Sequence, residues 1–324
     1  MSLHPDLEAF LDLAQDSQDA GLPAMHQMTP SEARVTFEQT TAQLRWPAPE
    51  DLLVSEIDTS ARDGAPLALR LYRPNAAVSP MPVLVYFHGG GFVVGSLDSH
   101  DGVCREFCQR TPCAVLSVGY RLAPEHRFPT ALEDGEDALS WLAENAVSLG
   151  LDTSRVAFGG DSAGATLATV LAIQAVVQPH TVAIAPKAQL LCYPVTDASR
   201  VHDSRLLFSE GYLLENDTLD WFYQHYARSP EDYLDWRFSP LLAEDLRGVA
   251  PAIVLLAGFD PLFDEGQAYA DKLRGQGVSV EVEHCPGLTH DLLRMASVMP
   301  DVLRVHERLS GALARVLGEY PLLR

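Results

Sequence analysis

Seven short runs rich in β-branched and aromatic residues recur along the chain, and several show no polar alternation. They span 68–74, 82–91, 113–121, 155–160, 188–195, 252–258 and 278–285. A strand that is apolar at every position buries both faces, as strands of a helix-covered parallel sheet do. Helical stretches near 130–147, 162–177, 264–275 and 298–317 alternate with these runs. The pattern predicts an α/β fold with a mostly parallel sheet. At 324 residues the chain can bury a large core without disulfides or a metal.

Two regions break the rhythm. Residues 1–50 read as helical: Leu7, Phe10, Leu11 and Ala14 recur at i, i+3, i+4 and i+7, and Pro47 and Pro49 then punctuate the chain. Roughly 56 residues separate the strand ending near Val195 from the one starting near Ala252, far more than an ordinary loop. They hold Phe208, Tyr212, Trp221, Phe222, Tyr223, Tyr226, Tyr233, Trp236 and Phe238. A helical insertion is expected here. It follows the carboxyl end of a strand, where α/β sheets bind ligands.

Charge and cysteine usage narrow the function classes. Lys+Arg number 23 and Asp+Glu 44, a net charge of −21. Such a surface repels phosphate backbones and anionic headgroups, so no nucleic-acid or membrane-surface partner is expected. Cys104, Cys108, Cys113, Cys192 and Cys285 are odd in number and form no C-x-x-C pair. They suggest neither a disulfide framework nor a zinc site, but buried thiols in a reducing cytoplasm. The first residues lack a basic segment followed by an apolar one, so a secretory signal is not expected. The longest stretch free of Asp, Glu, Lys and Arg, 162–186, is broken by Gln174, Gln178, Pro179 and His180. It reads as a buried helix plus a loop rather than a membrane span.

Gly160-Asp161-Ser162-Ala163-Gly164 has the form G-x-S-x-G, with a strand before it and an Ala-rich helical run after it. That context is a sharp strand-to-helix turn that exposes a nucleophilic serine. His88-Gly89-Gly90-Gly91 ends another strand. Consecutive glycines carry an entropic cost, and bare N–H groups facing an oxyanion would account for it. The expected donors are Gly90, Gly91 and Ala163, with His88 as a structural anchor. A phosphate loop would need a Walker lysine, which is absent.

A serine nucleophile needs a base, and the base an orienting acid. Asp260 directly follows the strand 252–258, and Pro261 biases it towards an extended conformation. Asp264 and Glu265 read instead as first-turn carboxylates of the next helix. His290 follows the last expected strand. His284 sits within that strand, and His306 falls in the last helix, on an expected solvated face. The chain order Ser162, Asp260, His290 matches that of α/β-hydrolases.

These segments together resemble the hormone-sensitive-lipase-like family of microbial carboxylesterases. The matching stretches are HGGGFVVGS (88–96), YRLAPEHRFPTALED (120–134), GGDSAGA (159–165), DPLFDEG (260–266) and GLTHD (287–291). The resemblance spans about residues 50–315. It implies an α/β-hydrolase with an eight-stranded, mostly parallel sheet and a helical cap. The cap would comprise an N-terminal segment, 1–50, and an insertion, 196–245, on a core of 51–195 and 246–324. Phe92, Tyr212 and Leu213 are expected pocket walls. Arg121, Pro124, Glu125 and Asp134 match a structural motif. The implied activity is hydrolysis of short- to medium-chain acyl esters through an acyl-enzyme, with a small-molecule ester as partner and no metal or other cofactor. A homodimer joined through 278–285 is also implied, and the alternation of Val278, Val280 and Val282 with Ser279, Glu281 and Glu283 suits an edge strand. One departure stands out: the family often has glycine after the catalytic histidine, where this chain has Asp291. Two rivals share the scaffold, a non-catalytic small-molecule receptor and an amidase or acyltransferase with the same triad; His290 argues against the first.

Overall fold

In the computed structural model the apolar runs become central strands of one sheet. It describes residues 2–75 and 80–318; residues 1, 76–79 and 319–324, which fall within the expected segments 1–50, 51–195 and 246–324, lie outside the described residues. The chain begins with helices α1 (Pro5–Asp19) and α2 (Pro30–Gln43). The hairpin β1 (Leu52–Ser60) and β2 (Pro66–Pro74) follows, then β3 (Met81–Phe87), α3 (Asp101–Arg110), β4 (Ala114–Gly119) and α4 (Thr130–Leu149). Next come β5 (Leu151–Asp161), α5 (Ala163–Val177), β6 (Ala188–Cys192), α6 (Asp203–Leu207) and α7 (Asn216–Tyr226). The chain closes with β7 (Ala252–Phe259), α8 (Phe263–Gly275), β8 (Val280–Thr289) and α9 (Val302–Leu317).

The strand order is β1-β2-β4-β3-β5-β6-β7-β8. Only the β1–β2 and β2–β4 pairs are antiparallel; the other five are parallel. The alternating residues of each central strand feed two separate cores. Val83, Val85 and Phe87 of β3 join the core with Ala168 and Leu171 of α5. Leu84 and Tyr86 join the one with Phe107 of α3 and Leu309 of α9. This two-sided burial is why the strands lack polar alternation. Helix α5 is buried along nearly its whole length and is apolar all round. No helix among the described residues is long and apolar enough to cross a membrane.

Several boundaries differ from the sequence expectations. The last strand runs Val280–Thr289 rather than 278–285, and so reaches His290 directly. Strand β1 and helix α3 were not anticipated. Strand β1 mixes polar residues into a half-exposed pattern, and α3 is short, with its buried Val103, Cys104, Phe107 and Cys108 at helical spacing. His306 is not on a solvated face: it is fully buried, with Nε2 3.0 Å from the Leu293 carbonyl oxygen and its ring against Phe107. Burial outweighs the Leu293 hydrogen bond and the charge of Glu106 and pushes its pKa down to about 4.

The two irregular regions meet over the carboxyl end of the sheet. The N-terminal arm docks through Leu7 and Leu11, both buried, and through His4, whose N–H donates to the Gly287 carbonyl at 2.9 Å. Arg34 of α2 donates to the carbonyls of Val93 (2.8 Å) and Ala123 (2.7 Å) and pairs with Glu125 at 2.6 Å. The 196–245 segment is helical in α6 and α7. Helix α7 turns Leu219, Phe222, Tyr223 and Tyr226 inwards.

Candidate active site

Strands β3, β5, β7 and β8 all deliver chemistry at their carboxyl ends. Strand β5 ends at Asp161, and Ser162 turns the chain into α5 with φ 52° and ψ −122°. A side chain on Gly164 could not exist here: its Cβ would lie 2.0 Å from the Phe87 carbonyl oxygen. The glycine therefore lets α5 start hard against the end of β3. The Ser162 N–H donates to the Cys192 carbonyl at 2.9 Å, which fixes the turn.

Three residues distant in sequence converge at this turn. His290 Nε2 lies 2.9 Å from Ser162 Oγ, and His290 Nδ1 lies 2.8 Å from Asp260 Oδ2. Asp260 Oδ1 accepts the Leu262 N–H at 2.8 Å, so both carboxylate oxygens are held. All three side chains are buried. Burial disfavours the imidazolium, but the charge and hydrogen bond of Asp260 outweigh it, and Asp291 and Asp161 add to them. The net result is a His290 pKa raised above the ordinary histidine value.

The alternative acids and bases lie elsewhere. Asp264 sits in the first turn of α8 and accepts the Ser204 N–H at 2.7 Å. Glu265 accepts the N–H groups of Thr196 (2.6 Å) and Asp197 (3.2 Å). His284 is exposed on β8, with its ring 5.3 Å from that of Phe263.

The His88–Gly91 segment leaves β3 beside Ser162. His88 is fixed, with Nδ1 2.7 Å from the Gly89 carbonyl oxygen and its ring stacked on Tyr120 at 4.3 Å. Burial pushes its pKa down to about 3, so it stays neutral. Gly90 and Gly91 line a cavity of about 240 Å³ together with Ser162 and His290. Ala163 is the first residue of α5, and its N–H has no intrahelical acceptor.

The cavity walls are mainly apolar, from Phe92, Leu213, Leu214, Leu219, Phe222 and Met295. Tyr212, expected as a wall, is not among the lining residues. Its ring packs on Phe208 (5.3 Å) and Phe259 (5.5 Å), while Leu213, at φ 70°, turns into the cavity. A larger polar groove of about 660 Å³ opens under residues 44–50. It holds none of the three converging residues, and Leu44 and Arg294 stand between the two spaces.

Sequence reasoning missed a second buried layer. Asp161 Oδ1 accepts from Tyr86 Oη (2.7 Å) and the Gly89 N–H (3.1 Å), and Oδ2 lies 3.2 Å from His100 Nε2. Burial opposes its ionisation, but His100, Tyr86 and Arg294 prevail and hold its pKa at about 2. Asp161 thereby ties the turn at Ser162 to the glycine loop. Its place within G-D-S-A-G was visible, but its partner His100 lies 61 residues away and carried no local signal. Arg121 and Asp134 pair at 2.6 Å away from the serine, in keeping with a structural motif.

A model of the α/β-hydrolase fold family matches residues 84–294. An ethyl acetate hydrolase of Pseudomonas putida is 48% identical over 305 residues, which cover 93% of this chain and 95% of that protein. The carboxylesterase NlhH of Mycobacterium tuberculosis is 36% identical, covering 97% of each. The chain belongs to the α/β-hydrolase family, within its hormone-sensitive-lipase-like group. Solved structures of other members agree. A thermostable esterase from Pseudomonas putida superposes on this α/β-hydrolase with a TM-score of 0.92 at 30% identity, covering 98% of this chain and 99% of that one. An ester hydrolase from the metagenome of Lake Arreo, bound to a bipyridine phosphonate derivative, gives 0.91 at 36%, covering 97% and 98%.

Proposed function

We propose that this ester hydrolase is a serine carboxylesterase in which Ser162 is the nucleophile, His290 the general base and Asp260 the orienting acid. The observation that carries the reading is the continuous hydrogen-bonded relay, 2.9 Å from Ser162 to His290 and 2.8 Å from His290 to Asp260. Ser162 Oγ attacks the ester carbonyl as His290 Nε2 takes its proton. Asp260 keeps the other nitrogen protonated and stabilises the imidazolium. The N–H groups of Gly90, Gly91 and Ala163 receive the oxyanion. His290 then protonates the leaving alcohol, and water, activated by the same base, releases the acid. Apart from the water, every group in this sequence comes from the chain, and no step calls for a cofactor.

The N-terminal arm and the 196–245 insertion form the cap. Their residues supply most of the apolar lining, and a cavity of about 240 Å³ favours short acyl or alcohol groups over long chains. The five free, buried cysteines support a cytoplasmic setting. The acidic surface makes nucleic acid a poor partner, and the edge of β8 over 280–285, short of the stretch that His4 covers at Gly287, supports a homodimer. Turnover of a chain-length series of nitrophenyl esters tests the reading. Ser162→Ala should lose on the order of 10⁴ to 10⁶ in kcat while remaining folded. Asp260→Asn should cripple turnover and Asp264→Asn far less. A Ser162→Ala protein that keeps a tenth of wild-type activity refutes the assignment.

A further inference from the structure

Asp291 and Arg294 are among the charged residues that line the cavity without belonging to the relay. Asp291 follows His290 directly and holds φ at 63°, a conformation that favours glycine. Its carboxylate meets Arg294 Nη1 at 2.7 Å. Arg294 is only 4% exposed. Its Nε donates to the Ser99 carbonyl at 3.3 Å, its Nη2 to Thr41 Oγ1, and its guanidinium lies 4.2 Å over the Phe37 ring. Phe37 and Thr41 belong to α2. A buried cation thus joins the His290 loop to the N-terminal arm.

Stability alone gives little reason for this arrangement. Arg294 is buried but the Asp291 side chain is 30% exposed, a partly solvated pair of the kind that adds little stability, and aspartate adopts the left-handed backbone less readily than glycine does. The placement of charge is what distinguishes it. Around His290 stand Asp260 beyond β7, Asp161 at the end of β5, Asp291 in its own loop and Arg294 one turn later. His100, ahead of α3, pairs with Asp161. Ser162 and the Tyr193 ring edge, centroids 4.7 Å apart from the imidazole in the latter case, complete the shell. The anions favour the imidazolium that forms during attack, and Arg294 opposes it.

We propose that Asp291 and Arg294 are positioning residues of the base: the pair sets the charge balance around His290 and suspends its loop from the N-terminal arm. This rests on His290 being the base. The pH dependence of kcat/KM on nitrophenyl butyrate tests it, alongside NMR titration of the His290 imidazole, which needs no turnover. Asp291→Asn removes an anion and leaves Arg294 unopposed, so the acid limb should move to lower pH by about 0.5–1 pH unit. Arg294→Met leaves Asp291 unopposed, and the limb should move up by a similar amount. The double variant should return towards wild type, and Asp291→Glu should keep the wild-type limb. Shifts in one direction for both single variants, or limbs unmoved within about 0.2 pH unit, overturn the proposal. Should Arg294→Met not fold, the double variant decides: a limb that stays with that of Asp291→Asn overturns the pairing. His290→Asn separates the two failures. Activity retained there refutes the base itself, whereas an inactive His290→Asn with unmoved limbs refutes only the pair.

Discussion

Replacing Gly91 with alanine puts a methyl group where Phe222 already lies. A Cβ on Gly91 would sit 2.1 Å from Phe222 Cγ and 2.4 Å from both Cδ atoms. Ordinary contact begins near 3.4 Å, so the ring must withdraw by 3.4 − 2.1, or 1.3 Å. Phe222 is 6% exposed and packs against Trp221, so it has little room to move. Overpacking of this kind costs about 1–3 kcal/mol. Gly91 also holds φ at 58°, which costs alanine about 1–2 kcal/mol. The two together predict a destabilisation of about 2–5 kcal/mol. Catalysis should suffer as well, because a displacement of about 1 Å in the glycine loop costs roughly 10²-fold in rate. The assay is a double-mutant cycle with Phe222→Ala, reading unfolding free energy and kcat. With the ring removed, only the backbone strain of Gly91→Ala should remain, giving a favourable coupling of about 1–3 kcal/mol. If the methyl group is as harmful without the Phe222 ring as with it, the steric argument fails. If Gly91→Ala alone keeps more than about a third of kcat, the loop is not the rigid oxyanion cradle proposed for it.

Burial raises Glu265 to about 8 despite the two N–H groups bonded to it. The native state therefore keeps a proton that the unfolded chain releases near 4.5, so this group's stabilisation is full below that pH and lost as pH rises towards 8. Glu265→Gln keeps an acceptor oxygen without titrating, so its Tm should fall less than wild type between pH 5 and pH 8; parallel Tm–pH curves would refute this. For the dimer, sedimentation at micromolar concentration should give twice the 35.4 kDa of one chain. The Ala252 N–H bonds to the Ser279 carbonyl, so in the parallel pattern the Val280 N–H faces the free edge. Val280→Pro should then break a β8-mediated dimer without disturbing the β7–β8 ladder, and a dimer that survives it uses another surface.

The sheet was legible because its central strands are apolar at consecutive positions, a pattern few other environments produce. Ser162, Asp260 and His290 were legible because each stands immediately beyond a strand, within a run of residues chosen for tight turns. What escaped was set by contacts at long range or by a local twist. Tyr212 and Leu213 are adjacent aromatic and aliphatic residues, and only the positive φ of Leu213 decides which one faces the cavity. The burial of His306 was readable in principle, since it stands four residues after Val302 and three before Leu309, both on the buried face of α9. A histidine on an apolar stripe invites a polar reading that the periodicity contradicts. Arg294 carried little signal: apart from Asp291 three residues before it, its partners Ser99 and Thr41 lie 195 and 253 residues away.

Backbone strain shows where the fold yields to function. Among the described residues, five non-glycine positions hold positive φ: Phe92, Ser162, Tyr193, Leu213 and Asp291. Four of them line the cavity at Ser162, and Tyr193 sets its ring edge against His290. Such conformations cost of order 1–3 kcal/mol each, so together they rival the roughly 5–15 kcal/mol by which a folded domain is stable. They persist only because the elements behind them cannot relax. Strands β3 and β6 are buried at every position, β7 at all but its last, and Asp161, locked by Tyr86, Gly89 and His100, joins the turn at Ser162 to the glycine loop. The geometry of Ser162, Asp260 and His290 is thus imposed from beneath, by the rigid strand ends. A cavity opened under β3 or β5 should let the turn at Ser162 relax and lower turnover before it unfolds the chain, because the strained residues are the first to gain when the core loosens.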